Sequence, residues 1–389
     1  MKRMKQQCIF LILTFSLLAL TVSCEPVKFE NNFELPNSLF IKHKDFTDIN
    51  LPEEERNLNL DQIASDVRFV PLETTEESFY KNIDDIFVND SLIVINTRSK
   101  VLYFDRDGQH IRTYQNKGRG PGEFQTIFGF AISFEGNRMA IADINSVKLY
   151  NLQGDFIREV GLPKTSFKLS PNIRFLTSQK LVLENSRFKP SYENGFSPLW
   201  VMDLRTNEVS PLFRSYPSDV KRFLPKYTFM GSLYGHNEQI RYQSRDAYNI
   251  YNISEEEQLT LKYKMDFGKE SMPIGAIHDA ENYHYYREQF AEIFNLTESS
   301  KYLFVKFGID RVPGIVVYDK ESNRIIGYQN NIEGLISKKY SGLTFWPRQF
   351  TNDGKVIFVH SAESIKEAGI FDDINETDNA VLSFVKLEK

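Results

Sequence analysis

The stretch Tyr103–Ile111, YFDRDGQHI, and its near copy Leu149–Ile157, LYNLQGDFI, decide the fold. Each reads as a strand, a turn closed by glycine and a second strand. The copies begin 46 residues apart, which is the period of a β-propeller blade and not of a helical repeat. Between them stands the glycine-rich loop Lys117–Phe124, KGRGPGEF. We predict that this loop carries the chain from the outer edge of one blade to the inner strand of the next.

Four short apolar strands make up each of the first two units. The composition agrees, since Phe (32) and Tyr (19) are abundant and aromatic rings favour the half-buried surface of a sheet. The predicted strands are Ile83–Val88, Leu92–Asn96, Val101–Phe104 and His110–Tyr114, then Ile127–Ser133, Arg138–Ala142, Val147–Tyr150 and Phe156–Val160. Later units are more diverged, and the turn after the third strand is followed at Asp105, Asn151, Asp203, Asn252 and Asp319. With a sixth unit near the C-terminus, the sequence predicts an all-β fold, a six-bladed β-propeller.

The two ends of the repeat region are expected to meet in one blade. The sixth unit comprises Leu343–Phe350, Lys355–His360 and Val381–Leu387, which is one strand too few. Val67–Leu72 is the strand left over at the other end. We predict that it pairs antiparallel with Val381–Leu387, because closing the ring removes exposed strand edges.

One helical insertion is expected between blades 4 and 5, where the repeat lengthens to 67 residues. Ala280–Phe290 is the only convincing helical stretch after the N-terminal segment. Tyr283, Tyr286 and Phe290 recur at three- and four-residue spacing, so they form one apolar stripe. We expect this stripe to pack on the propeller, with a mobile lid over its mouth as the alternative.

The N-terminus has the pattern of an export signal. A basic start precedes the apolar segment Cys8–Val22, whose 15 residues are too few to span a bilayer. The following Cys24 resembles the lipidated cysteine of a bacterial lipoprotein, so we predict a signal peptide over residues 1–23, a tether over 24–60 and the propeller over 61–389. Several acyl chains would anchor the protein to the membrane. With Cys24 as the only cysteine after cleavage, no internal disulfide is expected.

Three segments carry a resemblance to a known family. Phe69–Thr74, the loop Gly118–Phe124 and Phe294–Ser299 are similar to segments of the six-bladed β-propeller lipoproteins of gut Bacteroidetes. These in turn resemble NHL-repeat propellers, in which a glycine-rich loop precedes each inner strand. The resemblance covers roughly residues 66–389, and it implies a fold and an envelope location. It implies no particular reaction.

Motifs for phosphate, calcium or nucleophilic catalysis are incomplete. Strands flank the loop Lys117–Phe124, whereas a phosphate loop leads into a helix, and Pro121 removes an amide donor. Asp105–Gly108 begins like a calcium loop, but Asn116 occupies the twelfth position, where an acid is needed. A hairpin turn is therefore expected at Asp105. No Gly-x-Ser-x-Gly elbow occurs, and neither a cofactor nor a metal is predicted.

Arginines recur in the loops that join the second and third strands of the blades. These loops emerge on one face of a propeller, together with the blade-to-blade segments. Because a guanidinium binds carboxylate, sulfate or phosphate through two parallel hydrogen bonds, a ring of arginines would attract anions. Solvation of the turns or pairing with neighbouring acids is the alternative. The predicted binding residues are Arg98, Arg119, Arg187, Arg245, Arg311 and Arg348, with His236 and Trp346.

These observations favour a binding module over an enzyme. Residues 24–389 carry 44 basic and 52 acidic side chains without a basic run, which argues against nucleic acid. We predict a lipid-anchored propeller of the cell envelope that recognises an anionic carbohydrate, a peptide or an envelope protein. The alternative is a lyase or hydrolase with a metal-assisted site in the central channel, to which His236 and His360 would contribute. A propeller fold alone does not separate the two.

Overall fold

The chain forms a ring of six blades. The structure is a computed structural model that describes residues 39–42, 58–143, 145–163, 169–185, 197–213, 232–236, 239–243, 248–267, 271–272, 282–309, 312–329, 334–351 and 354–387. Each blade contains four antiparallel strands, and in blade 6 the N-terminal strand is the fourth. In a propeller the strand that follows each blade-to-blade segment is the inner one. This confirms the predicted all-β, six-bladed propeller.

Strands follow the predicted order with small shifts at their ends. Blades 1 and 2 consist of Asp85–Val88, Ile93–Asn96, Val101–Phe104 and His110–Tyr114, and of Gly129–Ser133, Arg138–Ala142, Ser146–Asn151 and Phe156–Gly161. Blades 3 and 4 consist of Leu169–Thr177, Lys180–Asn185, Leu199–Asp203 and Glu208–Phe213, and of Ser232–His236, Gln239–Gln243, Asn249–Ile253 and Leu259–Asp266. Blades 5 and 6 consist of Glu292–Glu298, Tyr302–Ile309, Val312–Asp319 and Arg324–Gln329, and of Gln349–Phe350, Val356–His360, Val381–Leu387 and Ala64–Pro71.

An N-terminal strand closes the ring. Ala64–Pro71 is the outermost strand of blade 6 and runs antiparallel to Val381–Leu387, with Val67 opposite Val385. The predicted pairing is therefore confirmed. Closure joins the two ends of the repeat region through one hydrogen-bonded ladder. The N-terminal strand thereby completes blade 6 and covers the strand edge that Val381–Leu387 would otherwise expose.

Apolar side chains fill the spaces between neighbouring blades. Between blades 1 and 2 the core contains Tyr103, Phe130, Met139 and Tyr150, each at most 1% exposed. Phe130 meets the ring of Phe87 edge to face, with the ring centroids 5.6 Å apart. Each such aromatic side chain contributes roughly 2–3 kcal/mol by its burial, so packing between blades stabilises the ring in addition to the ladder that closes it.

The segment before the ring adds contacts that the sequence did not indicate. Leu39–Lys42, within the predicted tether, is a short strand that pairs in parallel with Leu259–Asp266 at the outer edge of blade 4. Leu58 and Leu60 are buried, the latter in the short 3-10 helix Leu60–Gln62. The packed part of the chain therefore begins before residue 61.

The described part of the chain contains two short α-helices outside the blades' strands. Helix α1, Tyr283–Gln289, lies between blades 4 and 5 inside the predicted Ala280–Phe290. This confirms the predicted helical insertion. Helix α2, Ala362–Glu367, lies between the second and third strands of blade 6 and was not expected from the sequence. Ser361 caps α2 by accepting a hydrogen bond from the Ser364 amide. A two-stranded ribbon, Leu335–Ile336 with Thr344–Phe345, precedes blade 6. No described helix is long and apolar enough to span a membrane.

Candidate ligand-binding face

The glycine-rich loop has a structural role. Its backbone folds around the carboxylate of Glu123, which accepts a hydrogen bond from the Gly120 amide over 2.7 Å. A Cβ on Gly118 would lie 1.8 Å from Glu123 Oε2. Phe124, at the end of the loop, is 1% exposed in the core between blades 1 and 2. In this loop the Gly120 amide donates to an internal carboxylate, whereas the Gly118 amide donates to the Phe124 carbonyl over 3.1 Å.

The turn at Asp105 is the predicted hairpin turn between the third and fourth strands of blade 1. Asp105 Oδ1 accepts hydrogen bonds from the amides of Asp107 and Gln109, each over 2.9 Å. Gly108 has a φ of +85°, which a side chain adopts only with strain. Among the described residues no group of three or more His, Cys, Asp or Glu side chains is arranged to hold a metal ion.

Arg98 stands in a fixed loop between the second and third strands of blade 1. Its backbone is in the left-handed region, with φ +61°. The Arg98 amide donates to Asn96 Oδ1 over 3.0 Å, and the Arg98 carbonyl accepts from the Ile127 amide over 2.9 Å. Because Ile127 precedes the inner strand of blade 2, this bond joins a loop between second and third strands to a blade-to-blade segment. We call the propeller face to which both belong the 2–3 face.

The Arg98 side chain points into solvent. It is 73% exposed, and its Nε lies 3.3 Å from Asp84 Oδ1. Burial raises the pKa of the Asp84 carboxyl, and Arg98 partly offsets that rise. The alternative of pairing with a neighbouring acid therefore holds in part, although the acid is distant in sequence. The contact between Arg98 and Asp84 is made through Nε, which leaves the guanidinium largely exposed.

Arg119 and Arg348 are also exposed, but the structure joins neither of them to Arg98. Arg119 belongs to the glycine-rich loop, where Gly122 abuts the ring of Phe156 on the outermost strand of blade 2. Its loop therefore lies toward the rim. Arg348 stands just before the inner strand of blade 6, and its amide donates to the Ile357 carbonyl over 2.9 Å.

Trp346 lies beside the inner strand of blade 5. Its Nε1 donates to Asn295 Oδ1 over 3.0 Å, and Lys306 Nζ lies 4.2 Å from its ring centroid. A cation at this distance is attracted by the ring face. Trp346 thus has a fixed orientation between a polar and a charged neighbour. Neither Asn295 nor Lys306 was predicted, since residues 40 and 51 positions away along the chain give no local signal.

The remaining predicted site residues are described in part or not at all. Arg187, Arg245, Arg311 and Cys24 lie outside the described residues. His236 ends the inner strand of blade 4, and only its backbone is described. His360 was the second histidine suggested for a metal-assisted site in the central channel. It is 4% exposed, and its Nε2 lies 2.8 Å from Ser383 Oγ inside blade 6. Burial lowers its pKa to about 4.

An ion pair that the sequence did not reveal spans the inner strands. Arg174 of blade 3 lies with Nη2 3.6 Å from Asp85 Oδ1 of blade 1, and its guanidinium carbon is 5.4 Å from the Phe87 ring centroid. Asn96 donates to the other Asp85 oxygen over 3.1 Å. On this side of the channel the two opposite charges lie together.

Comparisons with known proteins agree with the architecture. A family model with the description "Domain of unknown function (DUF4934)" matches residues 46–386. The crystal structure of a Bacteroides fragilis NCTC 9343 protein described as exported is similar over 91% of this chain and 100% of its own, with 19% identity and a TM-score of 0.68. A member of the DUF4221 family from Bacteroides vulgatus ATCC 8482 covers 84% of this chain and 98% of its own, with 13% identity and a TM-score of 0.53. At such identities the likeness concerns the fold alone. No curated protein matches the sequence.

Proposed function

The chain belongs to the DUF4934 family, and from this premise we propose that it is an exported binding module that captures an anionic ligand on its 2–3 face. In this proposal Cys24 is lipidated and holds the propeller at the cell envelope, as in the Bacteroidetes lipoproteins that the sequence resembles. The ligand is a carbohydrate, a peptide or an envelope protein that carries carboxylate, sulfate or phosphate groups.

The observation that carries the proposal is the presentation of Arg98. A non-glycine residue at φ +61° costs about 1 kcal/mol or more. The loop is held in this conformation by the Arg98 amide, which donates to Asn96 Oδ1, and by the Arg98 carbonyl, which accepts from the Ile127 amide. The strained loop presents a guanidinium that is 73% exposed. Because the backbone that carries Arg98 is already held in place, only the side chain loses conformational freedom when the guanidinium binds an anion.

Exposed Arg348 supports the same proposal. It stands at the start of the blade 6 inner strand, which in a propeller adjoins the 2–3 face. In a net acidic protein, with 47 basic and 52 acidic side chains, arginines near the channel mouth would create a local attraction for anions.

Charge reversal tests the proposal. An acidic ligand is first identified on glycan and peptide arrays. We expect Arg98→Glu and Arg348→Glu together to weaken its binding about tenfold or more, a loss of roughly 1.4 kcal/mol of binding free energy. The matched control is Arg205→Glu, because Arg205 lies in a turn between the third and fourth strands of blade 3 and is 66% exposed. Equal losses in the control, or unchanged binding in the double variant, would contradict an arginine-dependent face.

A further inference from the structure

The outermost strand of blade 2, Phe156–Gly161, has no described strand beyond it. The hydrogen bonds on its inner side define which backbone groups are open. The Leu162 amide donates to the Asn145 carbonyl over 2.8 Å, and along an antiparallel pair every second residue bonds to the partner strand. Since Leu162 faces the blade, the amides and carbonyls of Glu159 and Gly161 point away from it.

The segment before the ring covers the outer strands of blades 4 and 5. In blade 4, Leu39–Lys42 pairs in parallel with Leu259–Asp266 as a fifth strand. In blade 5, Leu58 packs so closely on the outer strand that a Cβ added to Gly327 would lie 2.1 Å from the Leu58 Cβ. The outer edge of a blade in this propeller can therefore take up a further strand.

The outer strands of blades 1, 3 and 6 are contacted from outside or contain proline. In blade 1 the His110 amide donates to Glu73 Oε2 over 2.7 Å. Pro211 lies in the outer strand of blade 3, and Pro71 ends that of blade 6. Proline has no amide to donate to a further strand. The outer strand of blade 2 contains no proline, and no described residue outside the blade forms a hydrogen bond with its backbone.

The open strand of blade 2 corresponds to the covered strand of blade 4. Each carries one extra residue at a bulge, which is Ile157 in blade 2 and Lys262 in blade 4. In blade 4 the residues after the bulge are Tyr263–Asp266, and these are the residues that pair with Leu39–Lys42. Their counterparts in blade 2 are Arg158–Gly161, which have no such partner strand in the described part of the chain.

Apolar side chains and a guanidinium nitrogen without an acceptor line this edge. Phe156 and Ile157 are 39% and 46% exposed, and the Phe156 ring meets Tyr150 edge to face with the centroids 5.7 Å apart. Arg158 Nε is buried, and none of the described groups accepts a hydrogen bond from it. A buried donor without an acceptor is unfavourable, so a carboxylate placed beside Arg158 would be stabilised.

We propose that Arg158–Gly161 is a docking edge for an extended segment of a partner protein, which adds to blade 2 as a fifth strand. The segment runs parallel to the outer strand, as Leu39–Lys42 does in blade 4. Main-chain hydrogen bonds to Glu159 and Gly161 hold it, as in other cases where a peptide extends a sheet. This surface is separate from the arginine-bearing 2–3 face, so the inference goes beyond the proposed function.

The chemistry of the edge selects the partner segment. Its apolar side chains alternate along the strand, so that one set packs beside Ile157. A carboxylate of the segment accepts a hydrogen bond from Arg158. Glu159 does not oppose this contact, because its side chain pairs with Lys148 over 3.2 Å and points to the other face of the sheet.

The test is a selection from a displayed library of random peptides of about twelve residues, which is longer than a typical strand. The library is first depleted on the Gly161→Pro variant and then selected on the natural protein. Proline removes the outward amide of Gly161 and gives blade 2 the feature that blocks the outer strand of blade 3. We expect the selected peptides to alternate apolar residues, to carry a carboxylate, and to bind the natural protein about tenfold or more tighter than the variant.

Two further variants complete the test. Gly161→Ala is the matched control, because it keeps the amide and its Cβ meets no heavy atom within 4 Å; it should retain the affinity and the melting temperature. Arg158→Gln should weaken binding of a selected peptide but not of the same peptide with its carboxylate replaced by an amide. Bound peptide should also slow hydrogen exchange at the amides of Glu159 and Gly161.

The outcomes decide both the edge and its occupant. If no peptide survives the depletion, or if a bound peptide leaves exchange at Glu159 and Gly161 unchanged, the docking edge is overturned. A dimer of the purified protein that Gly161→Pro abolishes would show that a second copy occupies the edge, which overturns the proposed partner. Loss of peptide binding in the Arg98→Glu, Arg348→Glu double variant would assign the peptide to the 2–3 face and would also overturn the edge.

Discussion

Arg241 on the second strand of blade 4 donates from Nε to Glu298 Oε1 on the inner strand of blade 5, over 2.9 Å, and the two side chains are 5% and 0% exposed. The other Glu298 oxygen lies 2.8 Å from Lys320 Nζ and accepts from the Tyr263 hydroxyl over 2.7 Å. One buried carboxylate therefore compensates two cations at the junction of two blades. Burial lowers the pKa of Lys320, and Glu298 opposes that effect.

Removing this carboxylate should destabilise the ring. We expect Glu298→Gln to lower the free energy of unfolding by about 3–5 kcal/mol, because two buried cations lose their counter-charge. The measurement is chemical denaturation. Asp203→Asn, which breaks the exposed Asp203–Arg205 pair, is the control and should change the denaturation midpoint little. A similar loss of stability in both variants would contradict the claim that the buried Glu298 carboxylate stabilises the ring more than an exposed ion pair does.

His360 should make stability depend on pH. Burial lowers its pKa to about 4 from 6.5, so below pH 6.5 the unfolded chain binds a proton that the folded chain does not. The stability contributed by the neutral imidazole is present above pH 6.5 and is lost as pH falls toward 4. Between pH 7 and pH 5 the loss is about 2 kcal/mol.

Denaturation of the His360→Gln variant at both pH values checks this prediction. Glutamine retains a hydrogen-bonding group for Ser383, so the variant should lose less stability than the natural protein between pH 7 and pH 5. His284→Gln, on exposed helix α1, is the control. If the pH dependence of the His360 variant equals that of the natural protein, another group is responsible.

Two glycines with the same backbone angle should respond differently to alanine. Gly108 and Gly342 both have φ +85°, but a Cβ on Gly108 would lie 2.1 Å from the carbonyl oxygen of Pro71, whereas one on Gly342 meets nothing within 4 Å. Gly342→Ala should cost about 1–2 kcal/mol from backbone strain alone. Gly108→Ala should cost at least twice as much, because the end of the closing strand must also move. Equal midpoints by denaturation would contradict this contact.

The repeat period carried most of the fold prediction. Tyr103–Ile111 and its copy located two blades, and the missing strand of the last unit located the closing strand Ala64–Pro71. Helix α2 was not predicted, because six residues are too few to display a helical period. The strand Leu39–Lys42 was not predicted, because a strand that adds to the outer edge of a sheet needs no sustained apolar pattern of its own.

The site was less predictable than the fold. Arginines in loops between second and third strands are visible in the sequence, but their exposure and partners are not: Arg98 pairs with Asp84, which is not its sequence neighbour. The bulge at Phe294, where Ile293 pairs with Phe307 but Asn295 pairs with Lys306, has no compositional signature. Contacts such as Trp346 with Asn295 join residues from different blades, so only the closed ring brings them together.

The central claim is that this propeller distinguishes ligands by negative charge through Arg98 and Arg348. The most direct measurement is calorimetric titration of the natural protein and of the Arg98→Glu, Arg348→Glu double variant with an acidic saccharide and its neutral counterpart. We predict that the natural protein binds the acidic form at least about tenfold more tightly and that the double variant loses this preference. Equal affinity for both forms in the natural protein, or a preference that survives in the double variant, would contradict the claim.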